Sequence, residues 1–117
     1  MSEFVFAKPK VEFDYTNGTM VLLEDYVTPE CTVPKGFRSN GASTGRALQS
    51  FYPSFHTYLP AALVHDYMYA TGMWSREEAD KLFKYNMEVR LKLSWRYYQL
   101  MYVAVRVGGE SHYKGKK

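Results

Sequence analysis

His65 and Asp66 stand side by side in a run from 61 to 69 that is otherwise apolar and aromatic. Imidazole and carboxylate are side chains that proteins use to move protons and to bind metal ions. At helical spacing the run is apolar almost all round, which is typical of a buried helix. Two ionisable groups in such a helix need hydrogen-bonded or charged partners, because an unpaired buried ion is strongly unfavourable.

Other residues of the chain could supply these partners. In a helix, Tyr69 lies three positions after Asp66 and four after His65, within hydrogen-bonding reach of either. Arg106 is the first candidate partner for Asp66, because a guanidinium can hold a buried carboxylate with two hydrogen bonds. Asn86 interrupts the apolar stripe of a later helix and is a second buried polar group. We therefore expect a buried polar network of His65, Asp66, Tyr69, Asn86 and Arg106 that fixes helix register.

Asp80 lies at the edge of the same apolar stripe, with Arg76 and Lys84 each four positions away. This spacing places opposite charges next to each other on a helix surface. An ordinary surface ion pair, which contributes a few tenths of a kcal/mol, is a sufficient explanation for Asp80.

The segment from 38 to 46 is dense in small and hydrogen-bonding residues and is flanked by Arg38 and Arg46. We interpret it as a loop with exposed backbone amides. Through Asn40, Gly41 and Ser43 it could cradle a carbonyl, a phosphate or a calcium ion. The alternative is a connector whose serine and asparagine side chains satisfy their own backbone.

The N-terminal third has the patterning of strands. Residues 4–13 and 19–28 are rich in valine, phenylalanine, tyrosine and leucine, and Asn17-Gly18 between them favours a hairpin turn. A short strand from 32 to 37 follows, in which Pro34 restricts pairing and Gly36 allows a bend. The sequence therefore predicts an antiparallel hairpin or small sheet.

The second half of the chain has the patterning of helices. Pro60 suits the first turn of the central helix, and Gly72 is a natural stop. Ser75 and Glu78 have the spacing of a capping box, which opens a second helix. Ser94 can cap a third helix, from 95 to 107.

Together these patterns predict a single α+β domain. An antiparallel β-hairpin or small sheet precedes about three packed helices. The expected division is a β-rich part (1–37), a loop-rich connection (38–59), a helical part (60–109) and a basic tail (110–117).

Composition narrows the function classes. The 117 residues, 46% of them hydrophobic, can build one core but not two ordinary domains. A lone Cys31 excludes an internal disulfide framework. Without a signal-like start or an apolar run of about 20 residues, we expect a soluble protein with no transmembrane segment. The net charge of +3 gives no strong indication of nucleic-acid binding.

Other catalytic patterns are absent from the sequence. Cys31 has no histidine close by in the chain, and no Gly-x-Ser-x-Gly motif occurs. The three histidines, His56, His65 and His112, lack the spacing of zinc ligands. The glycine pattern of a phosphate-binding loop is missing too.

Four groups of residues, taken in order, resemble a family of unknown function that is widespread in tailed bacteriophages and prophages. The groups are Gly36-Phe37 with 40–43, the run 61–69, Ser75-Arg76 with Ala79-Asp80 and Phe83, and 104–106 with Gly108-Gly109. The resemblance covers 33–109 and implies a phage origin without an activity. Asn40 stands where the family commonly has Asp, and Thr44-Gly45 where it commonly has Pro. A loop carboxylate that could have bound metal or acted as a base is thus absent from this chain.

A shorter stretch is similar to the small calcium-dependent secreted phospholipases. Their central helix has a His-Asp pair followed after two residues by Tyr, as in His65, Asp66 and Tyr69. The likeness implies that His65 is a general base, that Asp80 on an antiparallel helix orients it, and that Asp66 binds calcium together with carbonyls of the 40–43 loop. The disulfides and the glycine-rich calcium loop of those enzymes are missing here.

Three functions follow as expectations. The first is a structural or accessory virion component of the tail or adaptor region, which docks onto other phage proteins or onto itself and needs no cofactor. The second is a calcium-dependent lipid or ester hydrolase with a His-Asp site. The third is an intracellular binder of a host factor, anchored by surface tyrosine and arginine. Synthesis in the host cytoplasm and a place in the virion are the corresponding locations.

Overall fold

A computed structural model describes residues 5–14, 19–39, 55–108 and 113, with side-chain environments for all of these except Phe13, Thr19 and 55–57. The predicted Asn17-Gly18 turn, most of the 38–46 loop and most of the basic tail lie outside these ranges. In the described part, short antiparallel strands precede three α-helices. The predicted α+β fold is confirmed.

Antiparallel pairing organises the strands into two small sheets. In the first, β1 (Val11–Asp14), β2 (Thr19–Leu22) and β5 (Arg38–Ser39) lie in the order β1-β2-β5. In the second, β3 (Tyr26–Val27) pairs with β4 (Thr32–Val33). Met20 lies opposite Ser39, and this register sets the position of Ser39 beside the helices.

The paired segments are shorter than the predicted strands of 4–13 and 19–28. Pro9 has no backbone N–H to donate, which limits pairing before Lys10. Past Leu23 the chain bends away, and Asp25 Oδ1 accepts a hydrogen bond from the Lys35 backbone N–H at 2.8 Å. The bend separates β2 from β3 and divides the strands between two sheets.

The first helix, α1 (Phe55–Thr71), contains the His65-Asp66 pair. It begins five residues before Pro60, so Pro60 lies inside the helix, in its second turn, rather than at the first position. The proline ring removes one backbone hydrogen bond there. Gly72 ends the helix at a positive φ of 68°, as predicted.

The second helix, α2 (Arg76–Tyr85), begins at the predicted capping box. Ser75 Oγ accepts from the Glu78 backbone N–H at 3.1 Å, and the Ser75 N–H donates to Glu78 Oε1 at 3.4 Å. A π-helical turn, Asn86–Arg90, continues α2. The third helix, α3 (Trp95–Gly108), follows a short link.

The core lies where the three helices meet one another and the sheets. One buried cluster joins the helices and is made of Tyr58, Ala61, Ala62, Phe83, Met87, Met101 and Val105. Another joins α1 to the strands and is made of Leu22, Tyr26, Val33, Leu59 and Leu63. The predicted apolar faces of α1 and α2 are thus buried. None of the helices in the described ranges combines the length and apolar character needed to cross a membrane.

Candidate active site

Asp80 is the centre of a buried cluster of polar side chains. Its Oδ1 lies 2.6 Å from His65 Nε2 and accepts a hydrogen bond from the Tyr69 hydroxyl at 2.6 Å. Its Oδ2 accepts from Arg106 Nη1 at 2.8 Å. Asp80 and His65 are 0% and 1% exposed. The cluster therefore joins all three helices through one carboxylate.

Helical spacing explains this convergence. His65 and Tyr69 are one turn apart on α1, so both face the same strip of α2. Asp80 lies in the second turn of α2, on the buried side with Ala79. Arg106 comes from the last turn of α3. One carboxylate can thus accept hydrogen bonds from three side chains.

The interpretation of Asp80 as an ordinary surface ion pair is wrong. Arg76 Nη1 does lie 3.7 Å from Asp80 Oδ2, but the carboxylate is buried. Lys84, the other predicted partner, is placed over the Tyr102 ring at 5.3 Å instead. Asp80 is buried because His65 and Tyr69 of α1 and Arg106 of α3 cover its carboxylate.

Asp66 has a different partner from the one predicted. Ser39 Oγ donates a hydrogen bond to Asp66 Oδ2 at 2.6 Å, and both residues are buried. The proposed Asp66–Arg106 pair is wrong, because Arg106 points to Asp80. Asp66 and Asp80 are both possible partners for Arg106, and their spacing in the sequence does not distinguish between them. Ser39 was missed, although it lies in the small-residue segment that the sequence singled out.

The second ring nitrogen of His65 faces Asp66. His65 Nδ1 has no hydrogen-bond partner among the described residues and lies 3.8 Å from Asp66 Oδ1. That separation is too long for a direct hydrogen bond. The imidazole packs between the Tyr69 and Phe83 rings, with centroid distances of 4.2 and 4.7 Å.

The cluster shifts the pKa values of its members. Burial lowers the pKa of His65, but the Asp66 and Asp80 carboxylates raise it more, so its pKa lies above the ordinary histidine value. Burial raises the pKa of Asp80, but hydrogen bonds from His65, Tyr69 and Arg106 outweigh this and lower it. Burial, and then Asp80, raise the pKa of Tyr69. Both shifts thus favour the charged forms of His65 and Asp80.

Arg76 anchors the end of α3 beside the cluster. Its guanidinium donates to the Val105 carbonyl oxygen at 3.0 Å and to the Arg106 carbonyl oxygen at 3.2 Å. These oxygens belong to the last turn of a helix, where backbone acceptors lack intrahelical donors. Sequence reasoning placed Arg76 on the surface and missed this role.

Tyr113 covers the cluster from the side of Tyr69. The two rings meet edge to face with centroids 5.3 Å apart. The Tyr113 hydroxyl donates to the Trp74 carbonyl oxygen at 2.5 Å, and the residue is buried. A residue within the predicted basic tail thus packs on the link between α1 and α2.

Asn86 is buried, as predicted, but its hydrogen bonds lie outside the Asp80 cluster. Its Oδ1 accepts from Arg90 Nη1 at 2.9 Å. Arg90 also makes two hydrogen bonds to the Glu30 carboxylate, at 2.7 and 2.9 Å. The prediction that Asn86 belongs to the His65 network is therefore wrong. Asn86 comes six residues after Asp80, at the start of the π turn, and Arg90 links it to Glu30 in the connection between β3 and β4.

The predicted binding loop is only partly described. Arg38 Nη1 pairs with Asp14 Oδ2 at 2.8 Å, which ties β5 to β1. Asn40, Gly41 and Ser43 lie outside the described residues. Within the described ranges, no group of three or more His, Cys, Asp or Glu side chains has the arrangement of a metal site. The predicted calcium site of Asp66 and the 40–43 carbonyls stays a prediction, because those carbonyls lie outside the described residues.

Comparisons with known proteins give a family and no activity. No curated protein and no solved structure matches the chain. A family described as "Protein of unknown function (DUF1353)" matches residues 20–105, which include every member of the Asp80 cluster except Arg106. Because the match spans well over half of the chain, the protein belongs to this family.

Proposed function

We propose that the protein is a hydrolase of ester bonds in which His65 is the general base. Two features of the His65 ring support this proposal. Its Nε2 lies 2.6 Å from Asp80 Oδ1, and its Nδ1 has no hydrogen-bond partner among the described residues. The likeness to the calcium-dependent phospholipases implied an Asp80–His65 contact between antiparallel helices. That contact is present between residues 15 positions apart in the chain.

Asp80 sets the tautomer that a base requires. An ionised carboxylate only accepts hydrogen bonds, so in neutral His65 the ring hydrogen sits on Nε2 and is donated to Asp80. The lone pair is then on Nδ1, which faces the gap toward Asp66. Tyr69 and Arg106 occupy the rest of the Asp80 carboxylate and hold it in place. These three residues position the base without contacting the substrate.

The reaction needs one proton transfer in each direction. His65 Nδ1 takes a proton from a water molecule while the water oxygen bonds to the ester carbonyl carbon. When the tetrahedral intermediate collapses, the bond to the alcohol oxygen breaks and that oxygen takes the proton from Nδ1. The products are a carboxylic acid and an alcohol, and His65 returns to its neutral form. These steps involve only water, the ester and His65.

The test is turnover of soluble and lipid esters by the purified protein. We would use p-nitrophenyl esters of several chain lengths and mixed phospholipid micelles, each with added calcium and with a chelator. Wild type should hydrolyse at least one substrate. His65→Gln and Asp80→Asn should lower kcat by about 10²-fold or more, the range of general-base catalysis. Because neutral His65 is the base, kcat/KM should rise as pH rises through its elevated pKa.

A matched control separates catalysis from folding. Asn86→Ala also removes a buried polar side chain, but Asn86 hydrogen-bonds Arg90 rather than the Asp80 cluster. It should lower stability and leave kcat unchanged in the folded protein. Turnover that survives in His65→Gln, or no turnover of any ester by wild type, would sink the proposal.

A second candidate is a structural or accessory component of a phage virion that acts by protein docking. The observation that favours it is burial: His65 is 1% exposed, as expected of a network that only fixes helix packing. In this case the charged side chains of the cluster only hold the three helices together. The family resemblance implies the phage origin, and the virion location is part of this second proposal.

Mass spectrometry of purified particles from the parent phage tests this candidate. A fixed copy number relative to the major capsid protein would identify a virion component. Absence from clean particles would reject it. Recovery from infected cells in complex with one host protein would instead favour the intracellular binder.

A further inference from the structure

The outer face of α3 carries an exposed apolar stripe. Leu100, Val103 and Val107 are 41%, 52% and 80% exposed. Their spacings of three and four residues place them on one side of the helix, in line with exposed Arg96 one turn earlier. We call Leu100, Val103 and Val107 the outer stripe.

The inner face of the same helix is already in the core. Met101 and Val105 are buried against α1 and α2, on the side of α3 opposite the outer stripe. A helix that is apolar on both faces normally has both covered. The outer stripe is therefore a candidate contact surface for a binding partner.

The charges around the outer stripe indicate the chemistry of that occupant. From Trp95 to Gly108 the helix has no acidic residue, and of its two arginines Arg96 lies in line with the outer stripe while Arg106 binds Asp80. Lys92 is exposed just before the helix, and Trp95 at its first position is 63% exposed. Aliphatic residues flanked by an exposed tryptophan and by cations are typical of segments that lie in the interface of an anionic membrane.

A second copy of the chain fits this surface less well. A stable protein dimer buries about 800 Å² on each partner. Three partly exposed aliphatic side chains provide far less than that. Two copies of a helix that has only basic charges would also bring like charges together. An anionic membrane needs no acidic residues on the protein, and its attraction for the cations adds to the burial of the outer stripe.

We propose that the outer stripe rests on a bilayer of anionic phospholipid, with Leu100, Val103 and Val107 inserted and Lys92 and Arg96 at the headgroups. Arg106 of the same helix binds Asp80 on the core side, so the helix that would contact the lipid also borders the buried His65 site. The inference rests on the proposed function only for its substrate: the ester is then one within a membrane lipid.

Vesicle co-sedimentation of the full-length protein tests the surface. The probes are vesicles of phosphatidylcholine alone and vesicles of phosphatidylcholine with phosphatidylglycerol. Wild type should bind the second kind at least tenfold more tightly, and added salt should weaken the binding. Val103→Glu should reduce the partition coefficient at least tenfold. Val27→Glu, on β3, is the matched control, because Val27 is 68% exposed but lies away from α3, and it should bind as wild type.

The outcomes keep this inference separate from the proposed function. Absence of vesicle binding, or an equal loss in Val27→Glu, overturns the membrane surface even if soluble esters are hydrolysed. If wild type and His65→Gln both bind vesicles and neither hydrolyses an ester, membrane binding by the outer stripe is supported and the hydrolase proposal is rejected. A dimer in sedimentation equilibrium that Val103→Glu dissociates identifies a second copy as the occupant and overturns the inference.

Discussion

At the scale of single residues, the charges around His65 depend on each other. Asp66 and Asp80 bring two negative charges to the imidazole, and Arg106 and Arg76 bring two positive charges to Asp80. A protonated His65 adds a third positive charge. Removing one member leaves another buried and uncompensated, which is more costly than the net value of any pair.

Asp80→Asn should therefore be among the most destabilising substitutions at the site. The amide cannot neutralise Arg106 or a protonated His65, and loss of one partner of a buried pair costs about 3–5 kcal/mol. Urea denaturation followed by circular dichroism measures this as a lower midpoint. The control is Glu77→Gln, which removes an exposed carboxylate of the same helix and should leave the midpoint where it was. Equal midpoints for Asp80→Asn and wild type would contradict the argument.

The two pKa shifts predict how stability depends on pH. The pKa of His65 is raised in the folded state, so its stabilising contribution is present below the unfolded value of about 6.5 and is lost as pH rises through the folded pKa. The pKa of Asp80 is lowered, so its contribution is present above about 3.9 and is lost as pH falls through the folded pKa.

The free energy of unfolding should thus be greatest at mildly acidic pH and should decrease from there toward pH 9. Denaturant titrations at each pH give the curve. His65→Gln should flatten the alkaline side, because glutamine does not titrate. A slope that persists in this variant would assign the pH dependence to another group.

The residue types predict which side chains of the site are buried and polar. They do not predict which of these side chains contact one another. His65, Asp66 and Tyr69 share one helix, so their spacing alone brings them together. The Asp80–His65 contact came from a family likeness rather than from the pattern. Arg106 had two aspartates to choose from, and only the packing of α3 against α2 decides between them. Ser39 lies in the small-residue segment noted from the sequence, but nothing in its spacing pairs it with Asp66, which is 27 positions away in the chain.

At the scale of elements, helix ends determine where the cluster sits. The capping box at Ser75 fixes the start of α2, and Asp80 follows in its second turn. Arg76, the first residue of that helix, holds the last carbonyls of α3. The start of one helix therefore positions the end of another, and with it Arg106.

Ser75→Ala should lower stability by about 1 kcal/mol, the usual cost of losing a helix cap. Thermal or urea unfolding measures the loss. Ser94→Ala is the matched comparison, because Ser94 precedes α3 but hydrogen-bonds it through its backbone oxygen, which alanine retains. An equal effect of both substitutions would mean that the Ser75 side chain is not a functional cap.

The helices were easier to predict from sequence than their irregularities. The apolar stripe from Ala79 to Leu93 predicts one continuous helix, and a period of 3.6 residues cannot reveal that its last part is a π turn. The strands were predicted too long, since local propensity does not show where the Asp25 bend stops pairing. The capping box and the Gly72 stop were read correctly because both depend on nearby residues only.

At the scale of the whole molecule, the candidate site lies where the sheet meets the helices. Ser39 of β5 donates to Asp66 of α1, and Leu22 and Val33 pack with Leu59 and Leu63 beside them. Unfolding of the sheet would remove a partner from Asp66. We expect the two parts of the fold to lose their structure together.

Unfolding should therefore be a single cooperative transition. Far-ultraviolet circular dichroism, which follows the helices, and tyrosine signals in the near ultraviolet should give the same midpoint. Ser39→Ala should lower both midpoints equally, because it removes a hydrogen bond to a charged group, at a cost of about 1.5–3 kcal/mol. Separate midpoints would show that the packing around the tyrosines is lost independently of the helices.

Tyr113 has a practical consequence for handling the protein. Because its ring lies against Tyr69 and its hydroxyl reaches the Trp74 carbonyl, Tyr113 is part of the wall around the buried histidine. A shortened version that stops at Gly108 would open that wall to solvent. An assay on such a version would compare a damaged site with an intact one, so expression designs should retain position 113 and place any affinity tag beyond it.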